Sequence, residues 1–151
     1  MFSPTREQAR RFFIDSWDKR SRGLPQTPLE HLAADIVSLH PEYHGLMAHG
    51  EQAVARDWSP DQGETNPFLH LSMHLAIEEQ LSIDQPAGIR AAFEALLARY
   101  SDRHQALHEV LECLGETIWQ AQRNAAPPDG AAYLACVKGR LRYNSVLPTR
   151  G

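Results

Sequence analysis

Two triplets of residues in this chain have types and spacing suited to chemistry. His70, His74 and Glu78 recur every four residues, and His104, His108 and Glu112 repeat the pattern downstream. On an α-helix that spacing puts all three side chains on one face, with a rise of roughly 6 Å per step. Both copies read His-x-x-apolar-His-x-x-x-Glu, with Met73 in the first and Leu107 in the second. Ile77 and Leu81 continue the first face, so its imidazoles and carboxylate are expected to point inward. Buried imidazole and carboxylate groups are costly without partners. Two such helices facing each other answer that cost by mutual hydrogen bonding or by a shared metal ion.

Two imidazoles four residues apart can chelate one ion from a single helical turn. Six of the eight histidines fall into such pairs, His40/His44, His70/His74 and His104/His108. Random placement would give roughly 0.4 pairs. In an antiparallel arrangement His74 would lie level with His108, Glu78 opposite His104 and His70 opposite Glu112. One ion would then take His74, Glu78, His104 and His108, and two ions roughly 3.5–4 Å apart would use all six groups. Mixed imidazole and carboxylate ligation suits a divalent transition metal, namely iron, zinc, manganese or nickel. The lack of thiolates argues against copper(I) and iron–sulfur clusters.

The spacing therefore predicts a metal-binding helical-bundle protein with a mononuclear or dinuclear His/Glu site between two helices. Its ligands are His70, His74, Glu78, His104, His108 and Glu112. The alternative is a metal-free interaction or adaptor protein in which the same groups form a buried hydrogen-bond network. A third reading is a metal-independent enzyme in which His104 or His108, with a neighbouring carboxylate, acts as general base. Other catalytic patterns fail. His108-Glu109-Val110-Leu111-Glu112 has glutamate where a zinc protease needs its second histidine, and no Glu-x-x-His, GxSxG, P-loop or GxGxxG occurs.

Elsewhere the expectations are plainer. Pro41 interrupts the His40/His44 pair, which reads as a surface turn, the alternative being that it completes a site from a third element. His31 with Asp35 reads as an oriented imidazole or, more plainly, an exposed ion pair, and His49 as an exposed helix end. Cys113 and Cys136 form no CxxC and are expected to be buried free thiols.

The elements that must position these groups are helical. Helix starts are marked at Ser3-Pro4, at Thr27-Pro28-Leu29-Glu30, which is a capping box, at Asn66-Pro67, and at Ser101. A first helix to about Arg20 carries Ala9, Phe12, Phe13 and Trp17, and a second carries Leu32, Ile36 and Leu39. Short helices are expected over about 41–48 and 51–58, and SPDQGETN (59–66) reads as a loop. Beyond the central helix, a helix from Ile89 to Tyr100 leads into one from Asp102 to about Arg123. Leu107, Leu111, Leu114, Ile118 and Trp119 are the core contacts of the latter. A last helix covers about Ala131 to Leu141. No stretch alternates with period two, so the fold is expected to be all-α, an irregular bundle of five to seven helices. One helical domain over 1–142 and a C-terminal tail over 143–151 are expected.

Bulk properties bound the partners. The 151 residues are 42% hydrophobic and 23% charged, as in ordinary globular proteins, with net charge −4. That charge argues against general nucleic-acid binding, although basic residues gather near both ends. No apolar run approaches the ~20 residues that cross a bilayer, and the polar start lacks a signal-peptide pattern, so a cytoplasmic protein without a membrane partner is expected. A protein partner or a homo-oligomer remains open.

Four blocks carry a resemblance: Phe2-Ser3-Pro4-Thr5-Arg6, NPFLHLSMHLAIEEQLSIDQPAGIR at 66–90, the histidine-rich run at 104–123, and PPDGAAYL at 127–134. Together they resemble a small proteobacterial family known only as a domain of unknown function, and the likeness brings no activity with it. In ligand style alone, the HxxxH and HxxxE spacings are also similar to hemerythrin-type helical bundles. The order of ligands along the chain and the interrupting Pro41 depart from that type.

Overall fold

The structure, a computed structural model, describes residues 5–56, 58, 66–100 and 102–146, with side chains to residue 141. All its regular structure is helical. The α-helices are α1 (Arg6–Ser21), α2 (Pro28–Ser38), α3 (His44–Ala48), α4 (Gly50–Ala55), α5 (Pro67–Ile83), α6 (Ile89–Leu97), α7 (Arg103–Arg123) and α8 (Gly130–Val146), with a 3-10 turn at Pro41–Tyr43. The protein is thus all-α. The described residues form eight α-helices, one above the expected range, two of them only five and six residues long. None is long and apolar enough to cross a membrane. The chain divides into two compact units, Met1–Leu75 and Ala76–Gly151, the boundary falling within α5.

In the first unit α1 packs against α2, α3 and α4. Its core gathers Phe13, Ala33, Ile36, Val37, Met47, Ala53, Phe68, Leu71 and Leu75, with Phe12 and Trp17 partly buried against it. Helix α1 starts at Arg6, two residues after the expected first helical residue Pro4, because Thr5 and Gln8 form a reciprocal capping box. Ser3 and Pro4 lie outside the described residues. The Thr27/Glu30 box opens α2 as read from sequence. Leu39 does not join the core; it is the C-cap of α2 and exposed.

Arg10 is the structural surprise of this unit, a fully buried cation on the inner face of α1. Its Nη1 donates to the carbonyls of Ala53, Val54 and Arg56 at 3.3, 2.9 and 2.6 Å. These carbonyls end α4 and would otherwise lack intrahelical donors, so the guanidinium caps a helix C-terminus where the macrodipole favours positive charge. The group also lies over the rings of Trp58 and Phe68 at 5.0 and 5.3 Å. That arrangement seats the start of α5.

In the second unit α6, α7 and α8 pack on one another. Buried there are Ile77, Leu81, Ile89, Phe93, Leu96, Leu107, Val110, Leu111, Leu114, Tyr133 and Val137. Leu107, Leu111 and Leu114 sit as the helical period requires, but Trp119 turns off that face, is half exposed, and stacks on the Arg123 guanidinium. Asp102 rather than Ser101 caps α7, accepting from the His104 amide at 3.0 Å; Ser101 lies outside the described residues. Helix α8 continues to Val146, past the expected end at Leu141 and into the segment read as a tail. The loop read over 59–65 lies outside the described residues.

The two cysteines are not free thiols. Cys113 on α7 and Cys136 on α8 form a disulfide. Sequence spacing misses it because the pairing depends on how α7 and α8 pack, which brings residues 23 apart into register.

Candidate metal centre

The Asn66 cap works as its sequence implies. Its side-chain oxygen accepts from the amides of Phe68 and Leu69 at 3.0 and 3.3 Å, which opens α5 with Pro67 in the first helical position. Phe68, Leu71 and Leu75 then anchor one side of the helix in the core of the first unit. His74 follows from this register and is fully buried, while His70, one turn earlier, is half-buried.

A third imidazole joins these two inside the first unit. His40, expected on a surface turn, is 2% exposed. Its ring centroid lies 4.7 Å from that of His74 and 5.0 Å from that of His70, and the two α5 rings are 4.9 Å apart. Pro41 explains both the expectation and its failure. It stops α2 as the sequence implies, but the chain then tightens into the 3-10 turn Pro41–Tyr43, which turns the His40 ring inward instead of releasing it. Tyr43 stacks parallel on His40 at 5.4 Å and meets His70 edge-on at 6.2 Å. Burial, with the Glu42 charge beside it, raises the Tyr43 phenol above its ordinary pKa, so it is neutral at physiological pH.

The tautomer of His40 follows from one contact. Nδ1 lies 2.7 Å from the carbonyl oxygen of Ile36, and a carbonyl only accepts. Nδ1 therefore carries the hydrogen, and in the neutral ring Nε2 carries the lone pair. Metal-bound histidines are commonly oriented in this way, by a backbone carbonyl on the far nitrogen. His44 is occupied differently, with Nε2 3.0 Å from the Val37 carbonyl and its ring stacked on Trp17 at 4.5 Å. His31 lies near Asp35 at 3.8 Å, and His49 contacts the Gly45 carbonyl at 2.9 Å; both are exposed, as read.

In the second unit His104 and His108 lie on the first two turns of α7, their ring centroids 4.2 Å apart. His104 is half-buried and His108 exposed. The two carboxylates that the repeated triplet supplies are held by arginines. Glu78 accepts both arms of the Arg103 guanidinium at 2.8 Å each, which in turn raises the pKa of Arg103. Glu112 is exposed and accepts from Arg140, as does Glu109, which also accepts from the Tyr100 hydroxyl.

Each histidine cluster can therefore offer imidazole nitrogens to a cation, while Glu78 and Glu112 serve as anchors for guanidinium groups. His40 is the residue that spacing rules placed elsewhere. The signal that could have found it was the count of histidine pairs, which included His40/His44 even though Pro41 separates them.

Comparison with known proteins agrees with the resemblance. The chain belongs to the family described as "Domain of unknown function (DUF1841)", whose model matches residues 5–139. No curated protein and no solved structure matches the chain.

Proposed function

We propose that this chain, as a member of a family whose description assigns no activity, binds a divalent transition-metal ion through neutral imidazoles. The donors are two imidazole pairs, His40 with His74 in the first unit and His104 with His108 in the second. The observation that carries the reading is that within each unit two imidazoles lie side by side, their ring centroids 4.7 Å apart for His40 and His74 and 4.2 Å apart for His104 and His108. The tautomer of His40 supports it, since the Ile36 carbonyl holds the hydrogen on Nδ1 and leaves Nε2 as the donor. His70 packs on both buried rings of the first unit and serves to orient them.

In this reading Glu78 and Glu112 are not ligands. They neutralise Arg103 and Arg140, which removes the oxygen donors that a dinuclear site would need for bridging. An all-nitrogen set of neutral donors suits zinc, nickel or iron, and is less suited to manganese, which favours oxygen ligands.

Calorimetric titration of zinc and nickel into the apo protein, compared with His40→Gln, tests the proposal. Loss of a donor should weaken binding by more than about 100-fold, beyond what a supporting contact contributes. Unchanged affinity in His40→Gln, with the fold intact by circular dichroism, would remove His40 and with it the imidazole set. A protein that takes up neither metal and keeps its full helicity in chelator would instead be the metal-free interaction protein.

A further inference from the structure

The disulfide lies at a solvent-open groove, and its two sulfurs are unequally placed. Cys113 is fully buried on α7. Cys136 on α8 is half-buried and lines a groove of about 450 Å³, together with Glu116, Thr117, Gln120, Asn124 and Asp129. That groove is large enough for a small organic molecule, with Ala121, Ala126, Pro127 and Ala132 giving it an apolar wall beside these polar side chains. Its lining carries two carboxylates and, among the described residues, no basic side chain.

We propose that Cys113 and Cys136 form a thiol–disulfide exchange site, open at Cys136, for a small thiol of neutral or positive charge. A thiolate entering the groove attacks the Cys136 sulfur in line with the bond to Cys113. A new sulfur–sulfur bond forms to Cys136, and the Cys113 sulfur leaves with the electron pair and takes a proton. A second thiolate then attacks the external sulfur, releasing the small-molecule disulfide and Cys136 as a thiol. The protein disulfide is reduced by two electrons and two small thiols are oxidised to one disulfide, so the exchange balances with the thiol as sole co-reactant. Burial of Cys113 fixes the direction, because an attacking sulfur reaches Cys136 first. Glu116 and Asp129 set the preference, because they repel an anionic thiol and attract a cationic one.

The groove and the disulfide both lie in the second unit, and the inference does not depend on metal binding. The test uses the oxidised full-length chain and three thiols of similar size: cysteamine, 2-mercaptoethanol and 2-mercaptoethanesulfonate. Rates are compared per thiolate, and the first adduct is trapped by acid and mapped by mass spectrometry. The expected result is a mixed disulfide on Cys136 in at least about tenfold excess over Cys113. Cysteamine should react several-fold faster than the sulfonate, roughly, and the gap should close in about 1 M salt. Adducts shared equally between the cysteines, or reduction seen only after denaturation, would overturn the proposal. A second pair of measurements guards against misfolded variants. In Cys113→Ser the remaining thiol should react with neutral dithiodipyridine in the native state, whereas in Cys136→Ser it should stay silent until denaturant is added; equal reactivity would also overturn it.

Discussion

Replacing Glu78 by Gln separates a metal ligand from an anchor. The carboxylate accepts two hydrogen bonds from Arg103 at 2.8 Å, with Glu78 16% and Arg103 49% exposed. A fully exposed ion pair contributes about 0–1 kcal/mol, and bidentate geometry on a mostly buried carboxylate places this one near the top of that range. Glu78→Gln keeps the shape and one acceptor, so the expected loss is about 1 kcal/mol, or a fall in Tm of about 3 °C for a chain of this size. A double-mutant cycle with Arg103→Met should recover a coupling energy of about 1 kcal/mol. If Glu78 only anchors Arg103, zinc affinity by calorimetry should fall by less than about tenfold, whereas loss of a direct ligand should exceed about 100-fold. A fall of about 100-fold or more with Tm unchanged would refute the reasoning, because the carboxylate would then be bound to the ion and not to the guanidinium.

Two further predictions concern the scaffold. Arg10→Met keeps most of the buried stem but removes the donors to the Ala53, Val54 and Arg56 carbonyls. It should cost about 3 kcal/mol or more in guanidinium chloride unfolding, and a loss below about 1 kcal/mol would mean that the α4 cap is not held by this residue. Asp84 accepts from the Arg90 and Gly88 amides, which hold its carboxyl below the ordinary range. Its folded pKa is lowered, so its stabilising effect is present above the unfolded value near about 4 and is lost as pH falls through the folded value. Asp84→Asn should therefore lower Tm relative to wild type at pH 7, with the gap closing as pH falls through the folded value; a gap that is constant with pH would contradict the linkage.

Local signals in this chain were legible and long-range ones were not. Thr27/Glu30 and Asn66-Pro67 each satisfy orphan amides within three residues, so their helix starts could be read directly. The apolar period located Leu107, Leu111 and Leu114 in the core, and it also explains why Trp119, one residue off that face, is exposed. His40 escaped because the inward turn of its ring depends on the 3-10 geometry after Pro41 and on α5 meeting it. The partners of Glu78 and Glu112 escaped for a similar reason. Arg103 and Arg140 lie 25 and 28 residues from the carboxylates they hold, and spacing along one helix carries no information about them. The disulfide depends in the same way on the packing of α7 against α8.

The most direct test of the central claim is metal content per chain. Untagged protein purified without chelator would be analysed by elemental mass spectrometry beside His74→Gln and His104→Gln. The account predicts about one equivalent of zinc, nickel or iron in the wild type and less than about a tenth in each variant. Less than about a tenth of an equivalent in the wild type, persisting after incubation with each metal, would contradict it.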